Sequence, residues 1–112
     1  MIAQITPSRC EGSVRIPPSK SMAHRAIIAA SLAQGTSHIT NIDFSDDISA
    51  TIEGMRQLGA DITVENDCVT VHGISDFHQL RSREIFCSES GSTLRFFIPI
   101  FSLCNKEIHF TG

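Results

Sequence analysis

Two stretches of the chain place hydroxyls and cations at the mouths of apolar segments. The first is Pro17-Pro18-Ser19-Lys20-Ser21-Met22-Ala23-His24-Arg25, directly before Ala26-Ile27-Ile28-Ala29-Ala30. The second is Ser88-Glu89-Ser90-Gly91-Ser92-Thr93-Leu94-Arg95, directly before Phe96-Phe97-Ile98. With Ser21 as the N-cap of a helix, the unpaired backbone N–H groups after it point outward, where the helix dipole favours an anion. Arg25 then lies one turn in, about 6 Å along the axis, with its side chain leaning back toward the start. Lys20 approaches from the loop side, so a hydroxyl, free N–H groups, an ammonium and a guanidinium converge on one phosphate or carboxylate. In the second stretch Gly91 permits close backbone approach or a positive φ. Ser90, Ser92 and Thr93 there can cap a helix and bind an anion, with Arg95 in the first turn. A capped helix with solvated cations accounts for either stretch taken singly; two in one chain point to a ligand with more than one negative group.

Other chemistries find less support. A Ser-Lys nucleophile and base pair is formally available in Ser19-Lys20-Ser21, but nothing nearby supplies an oxyanion hole. Asp46-Asp47 can act as a base or bind hydroxyls, yet two acids at a helix start also simply complement its dipole. Glu89 reads as an exposed loop glutamate. Cys10, Cys68, Cys87 and Cys104 form no CxxC pair, and His24, His38, His72, His78 and His109 are scattered. The expectation is free thiols and no metal site.

The chain has 112 residues, 41% of them hydrophobic and 19% charged, which describes one small globular domain. Its net charge of −3 gives no global attraction for nucleic acid or anionic membrane, so anion binding must be local. Seven of the nine cationic side chains are Arg, the type suited to bidentate contacts. No apolar run approaches the ~20 residues of a membrane span, and the N-terminus lacks signal-peptide character; a cytoplasmic location is the default expectation.

Patterning predicts the elements that position these residues. Residues 2–6 and 13–16 read as short strands, ended by Pro17-Pro18. A helix over 21–33 stops near Gly35, and 37–42 reads as a strand. Ser45 caps a second helix closed by Gly59, with Ile48, Ile52, Met55 and Leu58 as its buried stripe. Alternating segments 60–66 and 68–73 around Asn66-Asp67 form a hairpin, and 75–83 is a connection. Then come a strand at 84–87, the serine-rich loop, an apolar helix over 96–104 that Pro99 kinks or shortens, and a strand at 107–112. Strand, Ser-rich turn ending in Arg, helix, turn and strand thus occur twice. The β-α-β-α-β-β order followed by a second β-α-β argues an α/β sheet with buried helices.

On these residues the sequence resembles EPSP synthase, 3-phosphoshikimate 1-carboxyvinyltransferase. The resemblance runs through residues 12–41 (with the SKSxxxR motif), 45–62 (the SDD helix start) and 87–112 (the G-[ST]-x-x-R loop), in the family's order. It implies an incomplete β-α-β-α-β-β unit of the enolpyruvyl transferase fold, an inside-out α/β barrel. Residues 1–16 would be strands belonging to the other, C-terminal domain, and 17–112 the first part of a truncated N-terminal domain. It implies transfer of the enolpyruvyl group of phosphoenolpyruvate to the 5-hydroxyl of shikimate 3-phosphate, in the pathway to chorismate and the aromatic amino acids. Lys20 would contact both substrates, and Ser21 and Arg25 would hold shikimate 3-phosphate. Gly91 would lie against phosphoenolpyruvate with Ser92 and Arg95 beside it, and Asp47 matches an acidic position near the site. No metal or organic cofactor is implied. The family's main proton-transfer residues have no counterpart here, so the chain is expected to be an N-terminal fragment, inactive alone, with the rest of the enzyme as covalent partner. Glu89, Pro18 and His24 depart from the common Asn, Gly and Asn. Alternatives are a non-catalytic phosphate-ligand-binding module, a relative acting on UDP-N-acetylglucosamine, or a purely structural domain.

Overall fold

The computed structural model describes residues 1–112, and its helices begin where the sequence supplies hydroxyl caps. Helix α1 spans Lys20–Leu32 and follows Pro17-Pro18, with the Ser19 hydroxyl accepting from the Met22 N–H at 3.4 Å. The cap is therefore Ser19, two residues before the expected Ser21, because Pro18 fixes the extended backbone that a cap requires immediately upstream. The helix ends at Ala33 in extended backbone rather than running to Gly35, whose φ of 100° turns the chain into strand β1, Thr36–Ile39. Helix α2, Asp46–Leu58, carries Asp46 and Asp47 in its first turn and closes on Gly59 at φ 128°. Ser45 is its N-cap by backbone, but its hydroxyl makes no cap bond.

Strands β2 (Asp61–Glu65) and β3 (Cys68–His72) form the expected hairpin, with Asn66 at φ 52° in the turn. Strand β1 lies on the other side of β3, also antiparallel, giving the order β1-β3-β2. Strand β4 (Glu84–Phe86) leads through α3 (Gly91–Ser102) to β5 (His109–Thr111), which pairs parallel to β4 in a second sheet. Helix α3 starts five residues before the expected Phe96: Ser90 accepts from the Thr93 N–H at 3.2 Å and caps it, so much of the serine-rich loop is helical. Pro99 sits inside the helix without ending it.

The interior is built from the predicted stripe and one face of the sheet. Ile48, Met55 and Leu58 of α2 are fully buried in one cluster with Val69 and Val71 of β3 and Ile27 of α1. Phe97 and Phe101 of α3 fill the space toward Phe110, their rings 5.3 Å apart and Phe101 edge-on to Phe110 at 5.8 Å. Residues 2–6 and 13–16 form no strands: segment 1–17 is exposed throughout. A strand needs a neighbour for its ladder, and this chain supplies none there. The observed unit is thus α-β-α-β-β, without the expected leading strand. No helix is long and apolar enough to cross a membrane.

Candidate functional site

The three helices bring their first turns together. Lys20, the first residue of α1, holds its ammonium 4.0 Å from the Asp47 carboxylate in the first turn of α2. The Thr93 hydroxyl in the first turn of α3 lies 3.4 Å from the Asp47 carbonyl, within reach to donate to it. From α1, the Arg25 guanidinium lies 5.4 Å from the centre of the Phe96 ring on α3. Three positive dipole ends in one place repel one another, and an anion set among them relieves that.

Arg25 folds back as expected, donating to the Ser21 carbonyl at 2.8 Å. With its plane also supported by Phe96, the guanidinium is held near the start of α1 with donors to spare. Ser21 lies within the first turn, exposed, rather than capping it, so its hydroxyl remains available. Gly91 opens α3 with a helical rather than positive φ, and a Cβ there would meet nothing within 4 Å. The expected close approach to Gly91 is therefore an open face rather than a contact inside the chain. It borders a pocket of about 350 Å³ formed with Cys87, Glu89, Leu94 and Thr111. Ser92 and Arg95 are exposed on the same first turn. Burial pushes the Cys87 and Cys104 thiols up from their ordinary value, so both stay protonated and unreactive at neutral pH.

Beneath these side chains runs a polar line that the sequence reading did not assemble. His24 Nδ1 lies 2.7 Å from Thr51 Oγ1, which lies 2.8 Å from Thr93 Oγ1, which in turn lies 2.7 Å from Ser90 Oγ. The signal was available: His24 and Thr51 both stand on the buried stripes of their helices, beside Ile27-Ile28 and Ile48-Ile52. Desolvation lowers the His24 pKa, with Lys20 and Arg25 adding to it and Asp47 opposing.

The sequence profile of the family EPSP synthase (3-phosphoshikimate 1-carboxyvinyltransferase) matches residues 5–112. The chain belongs to the EPSP synthase family. Among curated EPSP synthases, that of Clostridium perfringens is 56% identical over 108 residues, covering 96% of this chain and 26% of the relative. That of Clostridium beijerinckii is 50% identical over 115 residues, covering 97% and 26%. The solved EPSP synthase of Acinetobacter baumannii superimposes with a TM-score of 0.66 at 31% identity, over 77% of this chain and 20% of that one. The α/β architecture is thus the EPSP synthase fold in part, and the chain spans about a quarter of the length of the curated relatives it matches.

Proposed function

We propose that this chain contributes one wall of the substrate site of an enzyme that transfers the enolpyruvyl group of phosphoenolpyruvate to the 5-hydroxyl of shikimate 3-phosphate. In that reaction the 5-hydroxyl oxygen loses its proton and bonds to C2 of the enolpyruvyl group, the C2–O bond to phosphate breaks, and inorganic phosphate leaves. The observation that carries the reading is the meeting of three helix starts around Lys20, Arg25 and Asp47, in a chain of this family. Both substrates are small polyanions, and converging N–H dipoles and cations suit them. Lys20 contacts both substrates. Ser21 and Arg25 hold the phosphate of shikimate 3-phosphate, while Gly91, Ser92 and Arg95 face phosphoenolpyruvate across the open side of α3. Asp47 orients Lys20. The contribution is positioning and electrostatic stabilisation, and proton transfer falls to residues outside this segment.

In the same reading, the rest of such an enzyme is the covalent partner, residues 1–16 lend strands to a second domain, and the reaction takes place in the cytoplasm. The test is a chimera in which these 112 residues replace the matching quarter of the Clostridium perfringens enzyme. Phosphate release that requires both phosphoenolpyruvate and shikimate 3-phosphate is the expected result. A chimera that folds and binds neither substrate overturns the reading.

A further inference from the structure

The line of buried groups behind the two helix starts has ends of functional interest. His24 directly precedes Arg25, and Ser90 directly precedes Gly91. All four members are buried, at 4% exposure for His24, 0% for Thr51 and Thr93, and 5% for Ser90. Each hydroxyl has a single proton to give, and that fixes the order of the whole line. In one order Ser90 donates to Thr93, Thr93 to Thr51 and Thr51 to His24 Nδ1, so the ring proton sits on Nε2. In the other, His24 Nδ1–H donates to Thr51, Thr51 to Thr93, and Thr93 to Ser90. Ser90 O–H is then released toward the pocket beside Gly91. The Asp47 carbonyl competes for the same Thr93 proton at 3.4 Å, and the Ser90 contact at 2.7 Å is the shorter; with Thr93 bonded along the line, reversing one member reverses all of them.

We infer that His24, Thr51, Thr93 and Ser90 form a hydrogen-bond relay that makes the two helix starts one coupled anion site, with His24 as a positioning residue. The inference rests on the proposed anion binding at both starts. An anion at the start of α3 draws the Ser90 proton outward and turns the line to its second order. The His24 ring proton then moves to Nδ1, which changes the ring dipole amid Lys20, Arg25 and Asp47, the charges around it. Burial keeps the imidazole neutral at pH 7, the form in which both tautomers exist.

The test is a titration of the 15N-labelled chain with inorganic phosphate, reading the Lys20–Arg25 and Gly91–Arg95 amides together with the His24 ring nitrogens. The expected result is a change of the ring from the Nε2–H to the Nδ1–H pattern, with the same midpoint as the amide shifts. Thr51→Val keeps the shape and removes the hydroxyl: the Gly91 and Ser92 amides still respond, the His24 ring does not, and phosphate binds about fivefold more weakly, the worth of one hydrogen bond. Thr51→Ser, which keeps the hydroxyl and loses the methyl, retains the ring response. A ring that ignores saturating phosphate, a chain that binds no phosphate, or a ring response that survives Thr51→Val overturns the relay. None of these outcomes decides the turnover of the chimera, which tests the reaction by itself.

Discussion

Gly54→Ala sets two effects of known size against each other at the contact that holds α2 to α3. Within a helix interior, alanine is favoured over glycine by about 1 kcal/mol, and Gly54 has no positive φ to protect. In the folded chain, however, a Cβ on Gly54 would fall within contact distance of three Phe97 ring atoms, with only Cδ2 as far away as 3.1 Å. The ring is fully buried and leans on Phe101 at 5.3 Å, so it has no free direction to move. Overpacking costs about 1–3 kcal/mol, and three crowded ring atoms place this case at the upper end. The net effect is a destabilisation of about 1–2 kcal/mol after the helix-propensity gain is subtracted. At roughly 4–8 °C per kcal/mol for a domain near this size, Tm falls by about 5–15 °C. The forced separation acts one turn from the Thr51–Thr93 contact of 2.8 Å, so the polar line loosens with it. Thermal unfolding followed by far-UV circular dichroism measures the shift, and Phe97→Leu in the same chain restores part of it. A higher Tm for Gly54→Ala would refute the reasoning, because propensity alone would then govern a site described here as closed.

Four further substitutions test the same geometry. Ser90→Ala removes the cap on Thr93 N–H and destabilises by about 1 kcal/mol, whereas Ser19→Ala, whose cap bond is longer and exposed, costs less; equal shifts in urea midpoint would contradict this. The His24 pKa is lowered in the folded chain, so the unfolded chain binds the proton more readily, and stability is lost as pH falls below the ordinary 6.5. His24→Asn flattens that part of the urea-midpoint profile between neutral and acid pH; an unchanged slope would show that His24 does not carry it. Arg25→Ala weakens shikimate 3-phosphate binding by about tenfold or more, the scale of a charge-assisted hydrogen bond, while unfolding shifts little, and calorimetric titration compares the two.

The amphipathic elements were legible because burial and spacing agree along them. Ile48, Ile52, Met55 and Leu58 form the core side of α2, and Asn66-Asp67 turns the hairpin. Two helix starts were harder to read: Ser19 and Ser21 flank the start of α1, and Ser88, Ser90 and Ser92 that of α3, and Pro18 decided for Ser19 while backbone geometry decided for Ser90. The strands expected at 2–6 and 13–16 have suitable alternation, yet a ladder is a property of two segments, and no second segment here meets them. The cations at Lys20, Arg25 and Arg95 were legible as anion ligands, and their neighbourhood is a tertiary fact. The relay escaped notice because its bonded neighbours lie 3 to 42 residues apart in sequence. Each alone reads as a cap or a tolerated polar residue on a buried stripe.

The central claim is that the gathered helix starts form a site for a phosphorylated substrate, and an amide NMR titration of the chain with shikimate 3-phosphate, using shikimate as control, tests it most directly. The account predicts saturable shifts at Lys20, Ser21, Arg25 and their neighbours with the phosphate ester and none with shikimate. Equal shifts with both compounds, or none with either from a well-dispersed spectrum, would contradict it and leave the three helix starts as capped ends alone.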